Sequence, residues 1–208
     1  MKLLERINPE LLEILDRYRT WFDKQDDKHL LKCDDRRIQG HTVETACGNE
    51  YLESIISDIK HRGPPEVANV CDFQHCDVPE IHRKKSLDLC LELSAYLGAK
   101  FNAVHVYYPA GGFMGWHNNW DVPGYNILIS YSEDEKGFFR YRDADTGDIV
   151  TMNDTKGWSC KVGYYGGKKE SQDKHYWHCA GSFAPRQTLG FVIPNKEMWE
   201  MMIEDILD

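Results

Sequence analysis

Residues 99–132 read AKFNAVHVYYPAGGFMGWHNNWDVPGYNILISYS, and their texture decides the fold. β-Branched and aromatic residues come in short runs, each ended by Pro, Gly, Asn or Asp, the residue types that turn a chain. The punctuation continues to about residue 194, and strands are predicted near 101–108, 113–118, 125–131, 137–142, 147–152, 158–165, 174–179 and 187–193. No helical pattern separates these runs, which excludes a parallel sheet with crossover helices. The prediction is a mainly β jelly roll or barrel with flanking helices, its core spanning 99–194.

Outside this core the periodicity becomes helical. Asn8 and Pro9 form a cap and first turn, followed by Leu11, Leu12, Ile14, Leu15, Tyr18 and Phe22 at helical spacing. Tyr51, Leu52, Ile55, Ile56 and Ile59 make a second pattern, stopped by Gly63-Pro64-Pro65. A third helix is predicted over 84–97, with Leu87, Cys90, Leu91, Ser94 and Leu97 on one side and Gly98 as terminator. Residues 1–98 thus form a helical part packed on the core. Residues 195–208 form a C-terminal helix whose stripe, Trp199, Met202, Ile203, Ile206 and Leu207, buries either on the sheet or in a homodimer.

Composition limits the function classes. The 208 residues carry 25 Lys plus Arg against 34 Asp plus Glu, a net charge of −9 that repels a phosphate backbone and disfavours nucleic acid as partner. No apolar run exceeds three residues, far below the ~20 of a membrane span and below a signal-peptide core, so a cytoplasmic protein is expected. The seven cysteines lack a Cys-x-x-Cys pair, which suits reduced thiols better than a disulfide framework or a zinc ribbon.

The chemistry-bearing residues concentrate in 107–121. A strand after the Gly111-Gly112 turn delivers His117 and Asn119, two residues apart, to one face, as two ligands of one metal require. A third ligand must come from a distant strand. There His175 and His178 have opposite parity, and His178 is preferred because Arg186 and Thr188 follow it on a common face. By itself His117, set between two tryptophans, reads more readily as a packed histidine than as a ligand. The glycine-rich 163–167 is a candidate lid, and His105 is either a supporting residue of the site or core.

In this order, Tyr108, the glycine turn, His117-x-Asn119, His178 and Arg186-x-Thr188 resemble the Fe(II)- and 2-oxoglutarate-dependent dioxygenases, built on a double-stranded β-helix. Residues 108–117 look most like the prolyl-hydroxylase branch, while Phe101-Asn102, Gly115-Trp116-His117 and Tyr141-Arg142-Asp143 are also similar to the nucleic-acid demethylases. The resemblance implies iron held by His117, Asn119 and His178, which would also be the catalytic residues. It implies 2-oxoglutarate held by Arg186, Thr188 and Tyr108, with O2 and an organic or peptidyl compound as further substrates. A planar guanidinium suits the distal carboxylate of the acid.

Two departures qualify this. Asn119 stands where the family has Asp, so the ligand set would be neutral and iron binding weaker; Asp121 is a substitute only if a turn separates it from His117. No second arginine follows Arg186, which lowers the demethylase reading. The expected function is hydroxylation of an unidentified substrate. The alternatives are an altered-triad variant such as a halogenase, and a non-catalytic jelly roll that binds a ligand through a degenerate iron site.

Overall fold

Two antiparallel sheets face each other in the computed structural model, which describes residues 1–57, 66–119, 122–170 and 175–208. The chain runs through β1 (Lys2–Leu3), α1 (Pro9–Asp23), a 3-10 turn (Asp26–Leu30), α2 (Val43–Ala46), α3 (Asn49–Ile55), β2 (Val67–Ala68), β3 (Cys71–Asp72) and α4 (Glu80–Tyr96). The core follows with β4 (Phe101–Tyr108), β5 (Gly112–His117), β6 (Gly124–Ser132), β7 (Gly137–Arg142), β8 (Ile149–Asn153), β9 (Gly157–Tyr165), β10 (His178–Ser182), β11 (Arg186–Ile193) and then α5 (Lys196–Leu207). The larger sheet has the order β1-β9-β6-β11-β4-β3 and the smaller β2-β5-β10-β7-β8. This is a jelly roll, mostly antiparallel sheet with few flanking helices.

Strand alternation sorts the larger sheet into a helix-facing side and a cavity-facing side. Ile127 and Ile129 of β6, Cys160 and Val162 of β9, and Leu189, Phe191 and Ile193 of β11 pack outward on Leu11, Leu15, Phe22, Leu93, Met202 and Ile206. At about 25 cal/mol per Å² of apolar surface, burial of this layer favours folding. The intervening residues of the same strands, Ser130, Lys161, Arg186, Thr188 and Gly190, therefore face the other way. A second apolar layer, Phe113, Trp116, Phe138 and Cys179 under Val43, Ala46 and Leu52, covers the outside of the smaller sheet.

The segment 1–98 is less helical than expected, because β1, β2 and β3 pair with β9, β5 and β4. They extend three core strands that would otherwise present open edges. In α1, Asn8 caps as predicted, its Oδ1 accepting from the Leu11 amide at 2.8 Å, with Pro9 in the first turn. In α4 the predicted face is right only in part. Cys90 and Leu97 are buried as expected, but Leu87 and Leu91 are 57% and 62% exposed, and His82, Ser86, Leu89 and Leu93 are buried in their stead.

The reason is that this stripe contains polar residues with partners waiting. His82 Nε2 lies 2.7 Å from Asp27 Oδ1, and Ser86 Oγ 2.6 Å from His105 Nδ1, so each is buried with a hydrogen-bond partner. Counting apolar residues alone moves the stripe around the helix. His105 is thus core, on the helix-facing side of β4, away from the cavity.

Two further differences concern the strands. β10 begins at His178 instead of near 174, because the ladder starts where His178 meets both His117 and Tyr141. Residues 171–174 lie outside the described set. Gly163, Tyr164 and Tyr165, expected in a lid, belong to β9 and pair with Asn126, Tyr125 and Gly124. Gly98 takes the left-handed conformation expected of a helix terminator, with φ +62°. The stop at 63–65, together with Ile59, falls outside the described residues. The α5 stripe packs on the larger sheet of its own chain, where Trp199 Nε1 donates to the Asn126 carbonyl at 3.1 Å. Among the described residues no helix is long and apolar enough to cross a membrane.

Candidate functional site

Between the sheets lies a cavity of about 230 Å³. Its walls include Tyr108 and Val104 from β4, Met114 and His117 from β5, Leu128 from β6, His178 from β10 and Arg186, Thr188 and Gly190 from β11, with Asn119 just past the end of β5. All six residues singled out in the sequence are therefore brought to one space.

A β-bulge aims His117 inward. His178 pairs with His117 and Ala180 with Met114, so between these pairs Cys179 alone opposes Gly115 and Trp116 of β5. The extra residue reverses the alternation, and Met114 and His117 line the same cavity although three positions apart. Gly115 sits in the bulge, where a Cβ would come within 3.3 Å of Glu66 Cβ.

The two imidazoles are held alike. His117 Nδ1 is 2.8 Å from the Gly115 carbonyl and His178 Nδ1 is 3.0 Å from the Tyr176 carbonyl. A carbonyl only accepts, so each Nδ1 carries the proton and each lone pair is on Nε2. The ring centroids are 4.1 Å apart. Burial lowers the His178 pKa to about 4, which keeps the ring neutral over the ordinary range. The Asn119 amide nitrogen is 3.4 Å from His178 Nε2; turning the amide about its terminal bond exchanges this nitrogen for its oxygen.

These three residues fit a divalent first-row ion: two neutral imidazoles oriented by backbone carbonyls and one amide oxygen. Among the described residues no group of three His, Cys, Asp or Glu side chains makes an alternative metal site. Asp121, the suggested substitute, lies outside the described residues. His175 is buried but does not line the cavity.

At the other end Arg186 is 1% exposed and already engaged. Its Nε donates to Asp154 Oδ2 at 2.6 Å, its Nη2 to Ser130 Oγ at 3.1 Å, and its Nη1 to the Thr188 hydroxyl. The Tyr108 ring centre is 5.2 Å from the Arg186 Cζ, and burial raises the Tyr108 pKa to about 12, so its hydroxyl stays protonated. Asp154 is shared, since Lys161 Nζ lies 3.0 Å from its Oδ1 and 3.3 Å from Ser159 Oγ. Burial opposes ionisation of Asp154, yet Arg186 and then Lys161 together hold its pKa at about 2.

Asp154 and Lys161 are the residues that sequence reading missed. A signal was present. In Trp158-Ser159-Cys160-Lys161-Val162, Lys161 shares parity with Ser159, opposite the apolar Cys160 and Val162, and so belongs inside. Asp154 follows β8 in a turn and carries no comparable mark.

The chain matches no known family model and no curated protein. Among solved structures it is similar to a Pseudomonas putida prolyl-4-hydroxylase, at 15% identity over 92% of this chain and 91% of that one, with a TM-score of 0.45. It is also similar to a full-length Neurospora crassa protein solved in complex with alpha-KG, at 14% identity over 91% of this chain and 73% of that one, with a TM-score of 0.39. At these identities the likeness concerns the chain fold, and no residue role is transferred from either protein.

Proposed function

We propose that this protein is an Fe(II)- and 2-oxoglutarate-dependent oxygenase that hydroxylates an organic or peptidyl substrate. The observation that carries the reading is the pair His117 and His178, with both Nδ1 atoms tied to backbone carbonyls, in one cavity with the buried Arg186. Iron would be held by the two Nε2 atoms and the Asn119 amide oxygen. When bound, it would supply the redox chemistry that couples O2 reduction and decarboxylation of the keto acid to hydroxylation of a C–H bond.

The chain's own residues bind and orient. Tyr108, Thr188 and Ser130 offer hydroxyls around the Arg186 guanidinium, where the distal carboxylate of the acid would lie. The apolar wall of Val104, Met114, Leu128 and Phe139 restricts water around the reacting carbon.

The test is anaerobic calorimetry with Fe(II) and 2-oxoglutarate, followed by measurement of O2-dependent succinate. Binding of both with succinate formation supports the oxygenase. A second reading rests on Asn119, which gives the site no anionic ligand: a jelly roll that binds an acid without turnover. Acid binding with no succinate would favour that reading, and absence of both binding events would sink the oxygenase.

A further inference from the structure

Counting the charges behind Arg186 shows an imbalance. Arg186, Lys161 and Asp154 have side chains that are 0–1% exposed, so two cations share one carboxylate in the interior. Asp154 takes both Nε and, at 3.5 Å, Nη2 of Arg186, and by itself neutralises that guanidinium. The positive charge left over is the lysine's: burial pushes its pKa below the ordinary 10.5, and Asp154 opposes that shift by holding the ammonium form. A buried charge without a counter-charge is costly, and a neutral salt bridge exerts little attraction on an incoming anion. Ser130, Ser159 and Thr188 satisfy hydrogen bonds around the cluster but supply no second negative charge.

We propose that Lys161, although it does not line the cavity, is the residue that makes the Arg186 end of the cavity select a carboxylate. Asp154 positions the guanidinium by holding its Nε edge, and Lys161 supplies the positive charge that Asp154 would otherwise cancel. An arriving carboxylate brings the cluster to two cations and two anions, whereas a neutral group of the same shape leaves it unbalanced. The proposal rests on the reading of Arg186 as the acid-binding residue. It adds that discrimination between acid and neutral ligands is set one layer deeper, on β9.

The experiment compares 2-oxoglutarate with 2-oxoglutaramate, in which the distal carboxylate is an amide, by calorimetry with Mn(II) present to prevent turnover. The wild type should prefer the acid by tenfold or more. Lys161→Met should lose most of that preference by weakening the acid and not the amide, and Lys161→Arg should retain it. If Lys161→Met does not fold, Lys161→Gln, which keeps a donor to Asp154, gives the same reading. A merely structural lysine would weaken both ligands alike. Should Arg186→Gln lose the preference while Lys161→Met and Lys161→Gln keep it, the role of Lys161 is refuted and the acid site stands. If the wild type itself shows no preference, the acid site falls, and this proposal with it.

Discussion

Asn119 is where a single side chain bears most on activity. It meets His178 Nε2 at 3.4 Å through a neutral amide, and an imidazole that donates its Nε2 lone pair to a metal is neutral, so nothing in the ligand set offsets the charge of a divalent ion. Carboxylate is the better donor to such an ion. Asn119→Asp should therefore tighten Mn(II) or Fe(II) binding by about tenfold or more, roughly 1.4 kcal/mol, measured by anaerobic calorimetry. Unchanged affinity in Asn119→Asp, together with loss of binding in Asp121→Ala, would assign the ligand to Asp121 instead.

At the scale of strands, the bulge in β5 and the glycine at the start of β7 set the two ends of the cavity. Gly137 lies against the Asp154–Arg186 pair, and a Cβ there would meet the Asp154 carboxylate and come within 3.0 Å of Arg186 Cδ. Both neighbours are buried and fixed by ionic hydrogen bonds, so neither can yield cheaply. Gly137→Ala should destabilise the fold by about 1–3 kcal/mol, the usual cost of overpacking, and should weaken 2-oxoglutarate more than Mn(II), because the strain falls at the acid end. Chemical denaturation and paired calorimetric titrations would check both parts. Equal loss for the two ligands would argue against a local effect.

For the whole molecule, the layer between helices and larger sheet makes stability depend on pH. His105 is fully buried there, and burial lowers its pKa to about 3, against 6.5 ordinarily. Between these values the unfolded chain binds a proton that the folded chain does not, so stability rises with pH in this window and is lost as pH falls through it. At 1.36 kcal/mol per unit, the His105 share of the loss is roughly 4–5 kcal/mol by pH 3. Asp154, held at about 2, adds a further loss in the same direction below its ordinary 3.8. Urea denaturation from pH 7 to 4 should show the fall, and His105→Leu should reduce it, leaving the share of His178, whose pKa burial lowers to about 4; an equal slope in the variant would exclude His105 as a source.

Local rules determined what local physics controls. Short apolar runs cut by Gly, Pro and Asn could pair only as antiparallel strands, the Asn8-Pro9 cap and Gly98 terminator acted where they stand, and the Arg186-x-Thr188 pair downstream favoured His178 over His175. Strand spacing together with the dioxygenase resemblance brought Tyr108, His117, Asn119, His178, Arg186 and Thr188 under suspicion, and they do share one cavity. The tertiary structure decided everything that depends on a partner far along the chain. The buried face of α4 turned toward His82 and Ser86 because Asp27 and His105 wait there to bond them. The bulge that aims His117 exists only through the register of β5 with β10. Asp154 and Lys161 became part of the acid end because the β8–β9 turn carries a carboxylate to Arg186, 32 positions away in the chain. Sequence spacing encodes which face a residue takes on its own strand. Which charges meet across a barrel is set by closure of the sheets, to which every strand contributes.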